Sequence, residues 1–257
     1  MPLSVVIVAQ DEERTIGRVI EAVKPIADEV VLVDSGSSDK TIEIATSLGA
    51  RVLHQDWLGY AGQKNFAIDL AKNDWILSLD ADEILTPELV AEISEVVNDP
   101  NATEYDGYKL PRVLYIGDTP IKHGGFYPDA QLRLIQRGKG RFNDRMVHEA
   151  IKVDGPVKML KNCMLHYAYK DVAGFSAAME KYAQLSAKEF AKRKKFGWKT
   201  HPVNEILHPA WTFLYRYFAR GGLLDGALGL KLANIYSDYV RKKIRYLREL
   251  EKSDVRS

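Results

Sequence analysis

Over the first hundred residues, short apolar runs alternate with segments whose apolar positions recur at helical spacing. Leu3 to Ala9 reads as a strand buried on both faces. Arg14 to Val23 has helical period and stops at Pro25, and Glu29 to Val33 reads as a second strand. The turn-rich Asp34-Ser35-Gly36-Ser37-Ser38-Asp39 ends that strand. Thr41 to Leu48 is helical and closes on Gly49, a residue suited to the position past a helix end. Arg51 to His54 predicts a third strand, Gln63 to Ala71 a helix, and Trp75 to Leu79 a fourth strand. A helix over Pro87 to Val97 follows, with Thr86 as N-cap and proline at its first position. Repeated β-α-β units predict an α/β fold, a parallel sheet with helices on both faces.

From Tyr105 to about His166 the pattern changes to short β-like runs, Tyr108 to Ile116, Gln131 to Gln136 and Glu149 to Val153, separated by glycine-rich turns. These predict a mixed β extension. Beyond Asp171 the chain turns helical, over Ala173 to Lys195, Leu207 to Phe218 and Leu224 to about Lys252. The expected organisation is an α/β domain over 1–170, with halves 1–100 and 101–170, and a helical appendage over 171–257.

With 46% hydrophobic and 28% charged residues in 257, the chain can bury a core and is not mainly disordered. One cysteine, Cys163, cannot form an intrachain disulfide, which favours a reducing compartment. Asp11, Glu12 and Glu13 precede the first basic residue, Arg14, so no signal peptide is expected. No apolar stretch reaches the roughly 18 residues of a spanning helix, and a cytoplasmic location is expected. The net charge of +1 hides a division. From Lys181 onward 17 Lys and Arg face 7 Asp and Glu, a balance of +10, leaving 19 basic and 28 acidic residues, −9, in 1–180. A basic appendage suits an anionic partner.

In open parallel sheets, ligands sit outside the carboxyl ends of the strands. Three of the first four strands are followed there by acids: Asp11 and Glu13, Asp34 and Asp39, Asp80 and Asp82. Helix capping accounts for one or two of them, Asp39 above all. It accounts poorly for Asp80-Ala81-Asp82-Glu83, three acids in four residues, whose repulsion calls for a cation or ligand donors. An Asp-x-Asp at a strand end suits Mg²⁺ or Mn²⁺, which prefer carboxylate oxygens and bridge substrate phosphates.

Four segments, Leu3 through Glu13, Val33 through Thr41, Gln63-Lys64-Asn65-Phe66-Ala67 and Leu79-Asp80-Ala81-Asp82-Glu83, together resemble family 2 inverting glycosyltransferases of the GT-A (Rossmann-like) fold. Tyr127-Pro128-Asp129-Ala130-Gln131-Leu132-Arg133-Leu134 and Val147-His148-Glu149 resemble the branch that includes lipopolysaccharide core β-glucosyltransferases. The resemblance implies that Ala9, Asp11 and Glu13 border the nucleotide pocket and that Asp34 and Asp39 contact uracil or ribose. It implies that Lys64 lies near the pyrophosphate, that Asp80 binds ribose or metal, and that Asp82 ligates the metal. Many relatives read Val-Asp-Asp-Gly-Ser where this chain has Val33-Asp34-Ser35-Gly36-Ser37, one carboxylate fewer. The family's base is an Asp or Glu after the D-x-D strand. Asp129 matches the branch pattern, Glu149 is its rival, and Asp129 can equally be a Pro-Asp turn residue. Arg133 and Arg137 either pair with the diphosphate or are solvated strand charges. His148 and His166 either complete the metal sphere or are structural.

The implied activity is metal-dependent transfer of a hexose, from UDP-glucose first of all, onto a lipopolysaccharide core or other glycolipid acceptor. A sugar nucleotidyltransferase of the same architecture needs a glycine-rich phosphate loop after the first strand, where this chain has Ala9-Gln10-Asp11-Glu12. A processive synthase needs spanning helices and a Gln-x-x-Arg-Trp motif, and no tryptophan here follows an arginine. Lys192 to Lys199 and Trp211 to Phe218 mix cations with aromatic bulk, which suits an anionic membrane surface; the same helices can simply pack on the body. Peripheral attachment to the inner membrane is the expectation, and no recognised nucleic-acid module accompanies the basic tail.

Overall fold

The N-terminal apolar run becomes the middle of the main sheet in the computed structural model, which describes residues 1–143, 149–193 and 200–254. Strand β1 (Leu3–Ala9) pairs in parallel with β2 (Glu29–Asp34) on one side and β4 (Trp75–Asp80) on the other. Strand β3 (Arg51–His54) continues the parallel set beyond β2. On the far side, β9 (Gln131–Gln136) pairs antiparallel with β4, and β6 (Gly107–Leu110) antiparallel with β9. Strand β12 (Val157–Met159) closes the order β12-β6-β9-β4-β1-β2-β3.

Both faces of β1 are covered, as its apolar run requires. Leu3, Val5 and Ile7 pack with Ile16, Val19, Ile20 and Val23 of α1 (Ile16–Val23) and with Leu89, Ile93 and Val97 of α4 (Pro87–Asn98). Ala45 of α2 (Thr41–Ser47) joins the same cluster. Val6, Val31 and Val33 pack instead with Ala61, Ala67 and Ile68 of α3 (Tyr60–Asp69). Phe142 and Ile151 of the antiparallel pair β10 (Gly140–Phe142) and β11 (Ile151–Val153) complete that layer. The N-cap of α4 is Thr86, whose hydroxyl accepts from the Leu89 amide at 3.3 Å.

The run Tyr108 to Ile116 is two strands, β6 and β7 (Arg112–Ile116), parted at Pro111, which has no N–H for a ladder. Helix α3 starts at Tyr60, earlier than the apolar spacing predicts, because Gly59 at φ 83° provides the bend into it. Glu83 opens a short strand, β5 (Glu83–Leu85), which pairs antiparallel with β13 (Met164–Tyr169) through Met164–His166.

Two compact units result, Met1–Val113 with Pro128–Tyr167, and Leu114–Tyr127 with Ala168–Ser257. The second holds β8 (Thr119–Ile121), paired with the end of β7, and the helices α5 (Val172–Lys192), α6 (Asn204–Leu214) and α7 (Gly226–Asp254). A π turn over Tyr215–Ala219 and a 3-10 turn over Gly222–Asp225 link α6 to α7. Ile116, Ile121, Phe175 and Leu232 form its core. Among the described residues no helix is long and apolar enough to cross a membrane.

Candidate active site

The loops after β1 and β2 are stitched to each other by the acids that the sequence singles out. Asp11 accepts from the Ser38 amide at 2.7 Å while its own amide donates to the Ser37 hydroxyl at 2.9 Å. Glu13 repeats the exchange one turn on: its amide donates to Asp39 at 3.0 Å and its carboxylate accepts from the Lys40 amide at 3.2 Å. Asp34, fully buried, accepts from the amides of Gly36 and Ser37 and closes the turn beneath them. Asp11 has φ 56° without being glycine, a strained conformation that the two Ser contacts hold. Ala9 ends β1 with its carbonyl accepting from Ser35 at 3.1 Å. Desolvation works against ionisation of Asp39, but the Thr41 hydroxyl and the amides of Glu13 and Thr41 hold its pKa below the usual range.

Beside these loops runs a chain of seven ionised side chains with alternating sign. Glu149 meets Lys64 at 3.1 Å, Lys64 meets Asp80 at 2.7 Å, and Asp80 meets Arg133 at 2.5 Å. Arg133 meets Glu83 at 2.6 Å, Glu83 meets Arg112 at 2.8 Å, and the Nε of Arg112 meets Asp129 at 3.0 Å. Lys64, Arg133 and Glu83 are buried, and burying a charge is tolerable only when it is paired on this scale. Burial pushes Asp80 up, but Arg133 and Lys64 outweigh it and hold the carboxyl far below its ordinary value. Desolvation opposes the charge on Lys64, yet Asp80 and Glu149 keep its pKa above that of an ordinary lysine.

The two candidate bases therefore terminate one array. Glu149 is the more enclosed. The Asp129 side chain keeps 45% of its surface exposed, with one oxygen on Arg112 and the other accepting from Gln131 at 2.7 Å. Asp82 stands outside the array, 3.3 Å from Nε2 of His166. His148 lies outside the described residues. Arg133 is neither a solvated strand charge nor open to a ligand, being buried between Asp80 and Glu83; Arg137 is exposed, 3.8 Å from Asp74.

Arg112 carries the site without having been singled out from sequence, and Glu83, Gln63 and Asn65 were noted there only as members of motifs, with no role of their own. Glu83 has no exposed surface, so the third acid of the cluster anchors two arginines. The acid cluster was the available signal, and it was read as calling for a divalent cation or ligand donors, whereas Arg133 and Arg112 answer Glu83 from within the chain. In the Gln63-Lys64-Asn65 motif each residue pins a different segment. Gln63 donates to Ser35 and to the Gln55 carbonyl, both at 3.0 Å, and Asn65 exchanges two bonds with the Phe142 backbone at 3.0 and 2.9 Å.

Glu12 reports the local potential. Burial is the main reason its carboxyl pKa is raised; the Thr15 hydroxyl opposes this, and the charges of Asp82, Asp39 and Asp80 add to the rise. Among the described residues no three His, Cys, Asp or Glu converge as a complete metal cage. Asp82 with His166 offers one carboxylate and one imidazole, a partial set that suits an ion drawing its other ligands from phosphate and water.

An α/β protein that gathers polar and charged side chains at the carboxyl ends of β1, β2 and β4 belongs to the class of open-sheet proteins that bind a ligand at that edge. Comparison with known proteins makes the class specific. The family model for glycosyl transferase family 2 matches residues 4–145. An uncharacterized glycosyltransferase of Rickettsia typhi is 32% identical over 96% of this chain and 87% of its own. The lipopolysaccharide core biosynthesis glycosyltransferase LpsC of Rhizobium meliloti is 33% identical over 95% of this chain and 92% of its own. The crystal structure of S. aureus TarS 1-349 superposes with a TM-score of 0.51 at 16% identity, covering all of this chain and 92% of that one. The chain belongs to glycosyl transferase family 2. It is a glycosyltransferase with the GT-A form of the α/β fold.

Proposed function

We propose that the protein is an inverting hexosyltransferase that takes a UDP-hexose, UDP-glucose being the first donor to test, and glycosylates a lipopolysaccharide inner-core sugar at the cytoplasmic face of the inner membrane. The observation that carries the chemistry is the alternating array, which places Asp80 beside Asp82 at the end of β4 and leaves Asp129 as its exposed terminus. The similarity to LpsC, a lipopolysaccharide core biosynthesis glycosyltransferase, supports the acceptor class.

In the proposed step an acceptor hydroxyl oxygen bonds to the anomeric carbon as the bond from that carbon to the diphosphate oxygen breaks. The hydroxyl proton passes to the Asp129 carboxylate, which Arg112 and Gln131 hold in one orientation. Asp82 and His166 are the residues that would hold Mg²⁺ or Mn²⁺. When bound, that ion offsets negative charge on the diphosphate. Lys64 and Arg133 already face Asp80, so this chain's own cations leave the phosphates little compensation, which supports a metal requirement. The stitched loops carrying Ala9, Asp11, Glu13, Asp34 and Asp39 would form the nucleotide wall, held in shape by carboxylates that accept from backbone amides of the two loops.

The test is purified protein with a panel of UDP-sugars, Mn²⁺ and a truncated lipopolysaccharide core, the product read by mass spectrometry and its anomeric configuration by NMR. A β-linked hexose from UDP-glucose supports the proposal. Transfer with retention, or nucleotide-sugar synthesis from a sugar phosphate, would sink it.

A further inference from the structure

The sequence leaves two possibilities for the aromatic-rich stretch after residue 200, a packed core or a free surface, and the side chains decide between them. Ile206 is 71% exposed, Trp211 67%, Phe218 56% and Leu224 67%, and Leu207, Leu214, Tyr215 and Leu223 are exposed beside them. At about 100° per residue, positions 207, 211, 214 and 218 fall on one side of a helix. The opposite side is fixed to the rest of the helical unit: Pro209 is buried, and the Ser237 hydroxyl donates to its carbonyl at 2.8 Å.

The charges are sorted with the same polarity. Only two acids occur between 203 and 231, and both are paired away from this surface. Glu205 meets Arg248 at 2.5 Å, and Asp225 receives the His123 amide at 3.0 Å with the His123 ring at 2.8 Å. Arg216 also points inward, its guanidinium 3.4 Å from the centre of the Tyr236 ring and bonded to the Gly124 carbonyl. The charged residues left exposed in this stretch, Arg220 and Lys231, are both basic. A contiguous apolar surface with Trp, Tyr and Phe, an exclusively cationic fringe and its acids turned inward is complementary to an anionic lipid interface.

We propose that the outer side of α6 and the turns to α7, centred on Leu207, Trp211, Leu214, Phe218 and Leu224, inserts into the headgroup region of an anionic bilayer. The inference deepens the reading of a membrane-held acceptor and rests on it for its biological purpose. It changes the mode of attachment from electrostatic adhesion of the basic run beginning at Lys192 to apolar insertion, with Arg220 and Lys231 selecting anionic lipid. Residues 194–199 of that run lie outside the described residues.

The experiment is flotation of the full chain with vesicles of phosphatidylcholine alone and of phosphatidylcholine with phosphatidylglycerol, at low and high salt. Wild type should float with the anionic vesicles and retain a substantial bound fraction at high salt. The variant Leu207→Gln/Trp211→Ser/Phe218→Ser should lose binding by more than roughly tenfold, because each buried apolar side chain carries a large share of the affinity. A melting temperature equal to wild type establishes that this variant is folded; Ile206→Gln with Leu224→Gln is the second variant should the first fail that check. Vesicle binding that vanishes at high salt, or that the folded variant keeps, overturns the inference. So does a wild-type dimer in sedimentation that the variant converts to monomer without any vesicle binding, since a second copy then covers the surface. Hydrolysis of UDP-sugar by wild type, read in parallel, separates the two proposals: wild type that hydrolyses but does not float sinks only the insertion surface, and wild type that floats but does not hydrolyse sinks only the transferase reading.

Discussion

Replacing Glu83 by Gln removes the charge at the centre of the array while keeping the shape of the side chain. In the wild type one carboxylate oxygen receives Arg133 at 2.6 Å and Arg112 at 2.8 Å, and the other accepts from the Asp80 amide at 3.1 Å. None of this group is exposed, so water cannot replace what is lost. Arg133, buried, is left with Asp80 and Arg112, half-buried, with Asp129, each guanidinium short of one partner. Breaking a buried pair from one side costs about 3–5 kcal/mol. At roughly 2–4 °C per kcal/mol for a domain of this size, the melting temperature should fall by roughly 6–20 °C. Differential scanning calorimetry of the ligand-free protein measures it. Asp82→Asn is the control: its side chain is partly exposed and, among the described residues, pairs with His166 alone, so its loss should cost about 1 kcal/mol or less. A Glu83→Gln protein that melts with wild type would refute the assignment of this acid as an internal anchor, and an equally deep loss in ligand-free Asp82→Asn would refute the distinction between the two acids.

Asp129→Asn should lower kcat by about 10²–10⁴ with little change in nucleotide KM, because the base acts on the proton in transit; an unchanged kcat reassigns the role to Glu149. Asn65→Ala strips both partners from the Phe142 backbone and should cost about 1–3 kcal/mol in urea unfolding, and a smaller effect would mean that the motif is not a pin. For Asp80, whose folded pKa is lowered, stabilisation is complete above its unfolded value of about 4 and is lost as pH falls through the folded one. For Lys64, whose folded pKa is raised, stabilisation is complete below its unfolded value of about 10.5 and is lost as pH rises through the folded one. The stability difference between wild type and Lys64→Met should therefore be flat from about pH 5 to 9, and a difference that changes within that window contradicts the pairing.

What could be read from sequence was what local physics controls. The bounds of β1, β3 and β9 follow from their apolar runs, and the start of α4 follows from Thr86-Pro87. The break at Pro111 was equally local but lay inside a run apolar enough to read as one strand. The acids at the strand ends were legible because open parallel sheets bind ligands there. Their partners were not. Arg133 reaches Glu83 across 50 positions and Lys64 reaches Glu149 across 85, and only the packing of β9, β5 and α3 brings them together. Likewise Asp11, Glu13 and Asp39 looked like ligand contacts because sequence does not show that each is answered by a backbone amide of the other loop. The exposed side of α6 was ambiguous for a related reason, since a helical apolar stripe has the same spacing whether or not another element covers it.

The measurement that bears most directly on the active-site account is calorimetric titration of UDP into wild type and Asp82→Asn, each with Mn²⁺ and with EDTA. The account predicts tight binding by wild type only with Mn²⁺, and loss of that metal-dependent increment in Asp82→Asn while its melting temperature stays near that of wild type. Equal UDP affinity in EDTA, or an Mn²⁺-dependent increment undiminished by Asp82→Asn, would contradict it.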